Sequence, residues 1–286
     1  MIITKLMGGL GNQMFQYAAG RALSDTYNTS LKLDISYYEK EDIFKRSFIL
    51  DKFNIIGNIA TVDDKQKFIN KNYLYKLAEK LKPSFKRKII IEKPFEYYRD
   101  FEKIGDDAYL DGYWQSEKYF KHIESIIRNE FTLKNISKAV KEIIFDIEKN
   151  NTVSIHTRRA DYVTLKNVNE RYGICSIEYY QAAINNISEQ INSPNYYIFS
   201  DDVAWVKENL KLKGPMTVVS EDGFNDYEEI IIMSKCKYNI IANSSFSWWG
   251  AWLNENSNKI VIAPKKWLST DEFDVSYMLP NNWIKL

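Results

Sequence analysis

The sequence predicts an α/β protein of two domains, each built on a mostly parallel sheet. Three observations carry this. The chain opens as strand, glycine turn, helix, strand: IITKL at 2–6, glycines at 8, 9 and 11, helical spacing of apolar residues from Gln13 to Asp25, then SLKLDI at 30–35. From about residue 151 a strict alternation of strand and helix patterns restarts and runs to residue 263. The chain has 286 residues, which at about 150 residues per domain suits two. The expected boundary lies near residue 150, giving domains 1–150 and 151–286.

Taken in order, the first apolar run is a strand and the glycines end it. The reading is weakest from about 40 to 105, where lysines dominate. Residues 65–93 carry nine Lys and Arg87 against Glu79 and Glu92, a local net of +8. Ser137 to Lys149 is an amphipathic helix that stops at Asn150-Asn151. NTVSIHT is a strand running into a polar loop, and Ser176 caps a helix to Ile191 with Pro194 just beyond it. Strands at 196–200, 216–220, 238–242 and 259–263 then alternate with helices at 203–210, 227–234 and 246–253.

Composition removes several classes. Lys plus Arg number 39 and Asp plus Glu 38, a net charge of +1, which argues against a dedicated nucleic-acid binder. Hydrophobic residues at 45% and charged residues at 27% are those of a globular chain. No apolar run reaches the roughly 18 residues of a membrane span, and the N-terminus lacks a secretory leader pattern. A cytoplasmic protein is expected. Cys175 and Cys236 make no disulfide framework, and with only His122 and His156 a zinc cluster is not expected. Aromatic residues reach 15%, enough to line a core or a sugar-stacking surface.

Parallel sheets bind ligands beyond the carboxyl ends of their strands. In the second domain these positions are His156-Thr157-Arg158-Arg159-Ala160-Asp161, Ser200-Asp201-Asp202, Ser220-Glu221-Asp222 and Asn243-Ser244-Ser245, so one rim gathers polar groups. Arg158 and Arg159 offer planar forks suited to phosphate oxygens, or a surface ion pair with a carboxylate. Asn243, Ser244 and Ser245 precede the helix that begins near Phe246, where unpaired N–H groups favour anions or serve only as a cap. Together the two features point to a diphosphate. Asp201 and Asp202 are adjacent, so their side chains diverge; a carboxylate accepting from a base or ribose suits them better than a metal site. His156 is either a general base or a hydrogen-bonding contact. In the first domain Gly9-x-Gly11 imitates a dinucleotide loop but has Met14 at the third glycine position, and Asn12 and Gln13 add amides such a loop does not need.

Three stretches resemble the bacterial α-1,2-fucosyltransferases of glycosyltransferase family 11: GGLGNQMFQYAAGRALS at 8–24, VSIHTRRADYV at 153–163 and SKCKYNIIANSSFSWWGAWLN at 234–254, with FSDD at 199–202 in the same order. The resemblance runs from residue 8 to about 267. It implies two Rossmann-like domains facing across a cleft, the GT-B type, with an acceptor-side domain first and a GDP-fucose-binding domain second. It implies inverting transfer of L-fucose from GDP-β-L-fucose to the 2-hydroxyl of a galactosyl residue, with no metal and no cofactor beyond the donor. Arg158 would then bind the diphosphate, Arg159 and Asp161 would brace the loop or touch the donor, and Asp201 or Asp202 would lie near guanine. Ser244, Ser245 and Phe246 match a phosphate-side helix start. The loop of Gly9, Gly11, Asn12 and Gln13 resembles one that faces the reaction centre, and His156, Asp161 or Asn12 are candidates for taking the acceptor proton.

The basic stretch 65–93 is either a solvated face or a patch that holds the protein at the inner face of an anionic membrane, as an acceptor on a lipid carrier would favour. A transferase acting on another acceptor class, protein or oligosaccharide, and a non-catalytic carbohydrate-binding protein are the competing functions.

Overall fold

A computed structural model describes residues 1–39, 46–69, 72–159, 170–270 and 272–286. The chain divides into two compact units, Met1–Thr132 with Asp274–Met278, and Leu133–Phe273 with Leu279–Leu286. The division thus falls at Thr132, not near residue 150. The helix of 138–148 belongs to the second unit, because Val140 and Ile147 bury against its sheet and Ser137 Oγ donates to Glu228 at 3.2 Å.

In the first unit β1 (Ile2–Lys5) leads to α1 (Leu10–Thr26) and β2 (Leu31–Asp34). Then come β3 (Asn58–Ile59), α2 (Val62–Gln66), α3 (Tyr73–Leu81), β4 (Ile89–Ile91), β5 (Ala108–Asp111) and α4 (Glu124–Glu130). The sheet order is β3-β2-β1-β5-β4, every pair parallel. Gly8 has φ of +80°, a left-handed conformation that a Cβ would strain, and it turns the chain from β1 into α1.

The second unit begins with α5 (Lys138–Glu148) and β6 (Thr152–Thr157), followed by α6 (Ile177–Gln190), β7 (Asn195–Ser200), α7 (Val203–Asn209) and β8 (Met216–Val218). It continues through α8 (Asp226–Lys235), β9 (Tyr238–Ile240), α9 (Ser245–Leu253), β10 (Val261–Ala263) and β11 (Ile284–Lys285). The order is β11-β10-β9-β6-β7-β8, again all parallel. Every residue of β6 is buried, as expected of a central strand covered on both faces. Along β7, Tyr196 and Ile198 pack with α6 while Tyr197 and Phe199 pack with α5 and α8, the alternation that a pleated strand imposes.

Helix α9 is apolar all round, so it is buried rather than laid on the surface. Trp248, Trp249 and Trp252 are inside, with Trp248 stacked on Trp252 at 6.0 Å and tilted against Trp283 at 5.5 Å. Gly250 is where α9 meets α8: a Cβ there would run into the Met233 side chain, with Cγ at 2.8 Å. The buried helix fixes where its N-terminus emerges.

Candidate active site

With all strands of the second unit parallel, their carboxyl ends share one edge. From β6 the chain moves outward to β7 and β8, then returns to place β9, β10 and β11 on the other side. The connections therefore diverge between β6 and β9, the place where such sheets open a crevice. Thr157-Arg158 flanks it on one side and Asn243-Ser244 on the other.

Arg158 Nη1 lies 3.0 Å from Asp201 Oδ2, with the Arg158 side chain 34% exposed. The other Asp201 oxygen accepts from the Arg159 backbone N–H at 2.8 Å, so this carboxylate spans both arginines. Arg159 is used differently. Its guanidinium lies over the Trp205 ring at 4.1 Å and its Nε donates to Asp202 Oδ2 at 3.2 Å, while Asp202 Oδ1 caps α7 by accepting from Trp205 N at 3.1 Å. Arg159, Asp202 and Trp205 thus form a brace under the loop, and Arg158 is the more outward of the pair. Beneath them Thr157 Oγ1 donates to Ser200 Oγ at 2.6 Å, and Ser220 Oγ accepts from Ser200 N at 3.0 Å. These hydroxyls tie the ends of β6, β7 and β8 together.

His156 sits one step below the rim, buried, its ring 5.4 Å from that of Phe246 in the first turn of α9. That contact places the end of β6 against the start of α9. Burial, and then the Arg158 charge, push its pKa down to about 3, because a buried cation beside a cation is doubly disfavoured. The imidazole is therefore neutral at any physiological pH. Its Nδ1 is buried without a hydrogen-bond partner.

Across the crevice Ser244 caps α9, its Oγ accepting from Phe246 N at 3.3 Å. No acidic residue stands in the first turn, so nothing there opposes an anion. Asn243 has a structural task. Its Nδ2 donates to Tyr172 O at 2.8 Å and to Trp267 O at 3.3 Å, and its Oδ1 accepts from Cys175 Sγ. Ser244, Ser245 and Phe246 are half-buried at the rim. Asp161 lies outside the described residues.

The first unit has its own switch point, between β1 and β5. Lys5 Nζ pairs with Asp111 across it at 3.0 Å. Gly9 caps α1 with no side chain. Asn12 Oδ1 accepts from Gln115 Nε2 at 2.7 Å, whereas Gln13 is buried and clamps its surroundings, donating to Ser47 O at 2.8 Å and accepting from Ile49 N at 3.0 Å. Of this loop, then, Asn12 stands at the rim and Gln13 is framework. Sequence reading missed Glu92, just past β4. Its carboxylate accepts from the N–H groups of Tyr113 and Trp114, both at 2.7 Å, and burial nevertheless raises its pKa to about 7. It holds a turn in which Trp114 has φ of +54°. An acid directly after a strand is the signal for it in the sequence, and the three residues of β4 are masked by the lysines around them.

The family profile of Glycosyl transferase family 11 matches residues 1–286. The chain belongs to glycosyl transferase family 11. An α-1,2-colitosyltransferase of Escherichia coli is 36% identical over 296 residues, covering 100% of this chain and 99% of its own. The O-antigen biosynthesis glycosyltransferase WbnK of Escherichia coli is 33% identical, covering 98% and 99%. Among solved structures, a mutant of Arabidopsis thaliana FUT1 in complex with GDP superposes with a TM-score of 0.51 at 10% identity, covering 91% of this chain and 69% of that one. At that identity the likeness concerns the fold, and the fold is that of GT-B glycosyltransferases: two α/β units with parallel sheets. This family 11 chain is a glycosyltransferase.

Proposed function

We propose that the protein transfers L-fucose from GDP-β-L-fucose to the 2-hydroxyl of a galactosyl residue in a surface glycan such as an O-antigen. The observation that carries this reading is Arg158 at the end of β6 set beside the capped N-terminus of α9, two sources of positive potential at one crevice. A nucleoside diphosphate sugar presents the matching charge. Membership in family 11 and the names of the two Escherichia coli relatives support the α-1,2 linkage and the glycan class.

In the reaction the acceptor O2 forms a bond to the anomeric carbon as the bond to the β-phosphate oxygen breaks, inverting β to α. The transition state is oxocarbenium-like and negative charge collects on the departing diphosphate. Arg158 and the α9 N–H groups stabilise that charge at fixed positions, the most effective form of electrostatic catalysis. Asp201 holds the Arg158 fork in place until phosphate oxygens compete for it. His156, with a pKa near 3, is too weak a base to take the proton of an alcohol and stays a neutral group one step below the rim. When departure of the diphosphate leads, the proton needs no strong base and passes to water or to a carboxylate such as Asp161.

A second reading has a specific observation behind it. Colitose is the 3-deoxy analogue of L-fucose, and the relative at 36% identity is a colitosyltransferase. The experiment is transfer from GDP-fucose and from GDP-colitose to a panel of β-galactosides in excess EDTA, with GDP release as readout and linkage by NMR. Galactoside-dependent release from GDP-fucose with an α-1,2 product supports the first reading, and a preference for GDP-colitose supports the second. Loss of turnover in EDTA would overturn metal independence. Folded protein that neither turns over nor binds GDP would overturn the enzyme reading, and glycan binding would then be the function to test.

A further inference from the structure

Exposed apolar surface is concentrated in one part of the first unit. Among the described residues, seven of the 13 exposed large hydrophobic side chains lie between Ile56 and Ile91, and the most exposed is Leu81 at 82%, one helical turn from Leu77 at 48%. This is the segment whose sequence carries a net charge of +8 over 65–93. Its only acids, Glu79 and Glu92, are both turned inward. Glu79 is 14% exposed, accepts from Lys88 N at 2.9 Å and pairs with Lys82. Glu92 is taken up by the Tyr113 and Trp114 amides. Lys65, Lys67, Lys88 and Lys93 pair with Asp34, Asp64, Asp107 and Glu96 from outside that stretch, while Lys80, Leu81, Lys82 and Lys86 are exposed together at the end of α3 and in the turn after it.

The patch is held in shape. Arg87 donates to Lys80 O at 2.9 Å and to Lys82 O at 3.2 Å, which ties the end of α3 to the turn at 84–86 and keeps Lys80, Leu81, Lys82 and Lys86 together. Lys86 and Lys103 both lie over the Phe85 ring, at 6.0 and 5.5 Å. From this arrangement we infer that the face built from α3 and the 82–88 turn docks on an anionic lipid surface, with Leu77 and Leu81 entering the headgroup layer and the surrounding lysines meeting lipid phosphates. Exposed leucines among lysines suit an interface that is apolar inside and anionic outside, since lysine stems lie along apolar surface while their ammonium groups reach phosphate. A nucleic acid would use the lysines and leave the leucines unsatisfied. Among the described residues no helix is long and apolar enough to cross a membrane, so the contact is peripheral. The inference goes beyond the proposed reaction and does not depend on which sugar is transferred.

The test is co-sedimentation of the full chain with vesicles of phosphatidylcholine alone and of phosphatidylcholine with phosphatidylglycerol, at low and high salt. Binding is expected only to the anionic vesicles, weakening with salt. Leu77→Ser with Leu81→Ser should abolish binding, and Lys80→Gln or Lys86→Gln should each weaken it about fivefold. All four side chains are exposed, so each variant keeps its thermal transition and its turnover on a soluble acceptor. If no activity is found with any acceptor, the proposed reaction fails while the vesicle result stands by itself. Absence of salt-sensitive binding to anionic vesicles would overturn the inference. So would binding that the leucine variants leave unchanged, or tighter retention on duplex DNA, since either would mark a general polyanion surface.

Discussion

Arginine side chains at adjacent positions do different work in this chain, and the difference follows from what each one touches. Arg159 is stacked on Trp205 and held by Asp202, so its loss loosens a loop. Arg158 pairs with Asp201 from a more open position, so its loss removes a charge from the crevice. Arg158→Ala is therefore expected to lower turnover by about 100-fold or more, the scale of deleting a donor that stabilises transition-state charge. Arg158→Lys should recover little of it, because a point charge cannot replace a two-pronged donor. Steady-state kinetics with the donor varied would check this, and near-normal turnover in Arg158→Ala would remove the assignment. The sequence already told these residues to be at the rim. It did not tell Asn243 and Gln13, which carry the same polar chemistry, that they are framework: that depends on carbonyls at 172, 267 and 47, contributed by loops far away in sequence.

At the level of the element, α9 shows how a buried helix can be finished differently at its two ends. Its C-terminus is closed by Lys259, whose Nζ donates to Ala251 O at 3.0 Å and to Asn254 O at 2.7 Å, satisfying carbonyls that burial would leave unpaired. Its N-terminus is left with a single serine cap. The body is tightly packed, so Gly250→Val, which drives a branched side chain into Met233, should cost about 1–3 kcal/mol and drag activity down with stability. Urea unfolding would measure it; an unchanged midpoint would show that α8 and α9 can part freely. Elements of this kind were legible because buried parallel strands and buried helices are continuous apolar runs. In the first unit β3 is two exposed residues and β4 is three isoleucines behind a lysine run, too short to stand out against charge. They exist because neighbouring strands supply the ladder.

For the whole molecule, two groups in separate units make stability depend on pH in opposite directions. His156 falls from an ordinary 6.5 to about 3 on folding. Below pH 6.5 the unfolded chain takes up a proton that the folded one refuses, so stability drops as pH falls toward 3. Glu92 rises from 4.5 to about 7. Between those values the unfolded chain gives up its proton first, so stability drops as pH rises. Each contributes a slope of up to about 1.4 kcal/mol per pH unit inside its window. His156→Gln should gain on the parent protein as pH is lowered from 6.5, and Glu92→Gln should gain as pH is raised from 4.5. Melting temperatures across pH 4 to 8 would show it, and differences flat in pH would contradict both.

The return of residues 274–278 to the first unit has a consequence for synthesis. Ser116 Oγ donates to Tyr277 O at 2.7 Å, and the Tyr277 ring lies 5.5 Å from that of Tyr97. A ribosome emits the first 132 residues before these partners exist, so the nascent first unit lacks the Tyr277 contacts of Ser116 and Tyr97 until residues 133–273 have also been made. The first unit is thus completed only after the body of the second has been synthesised.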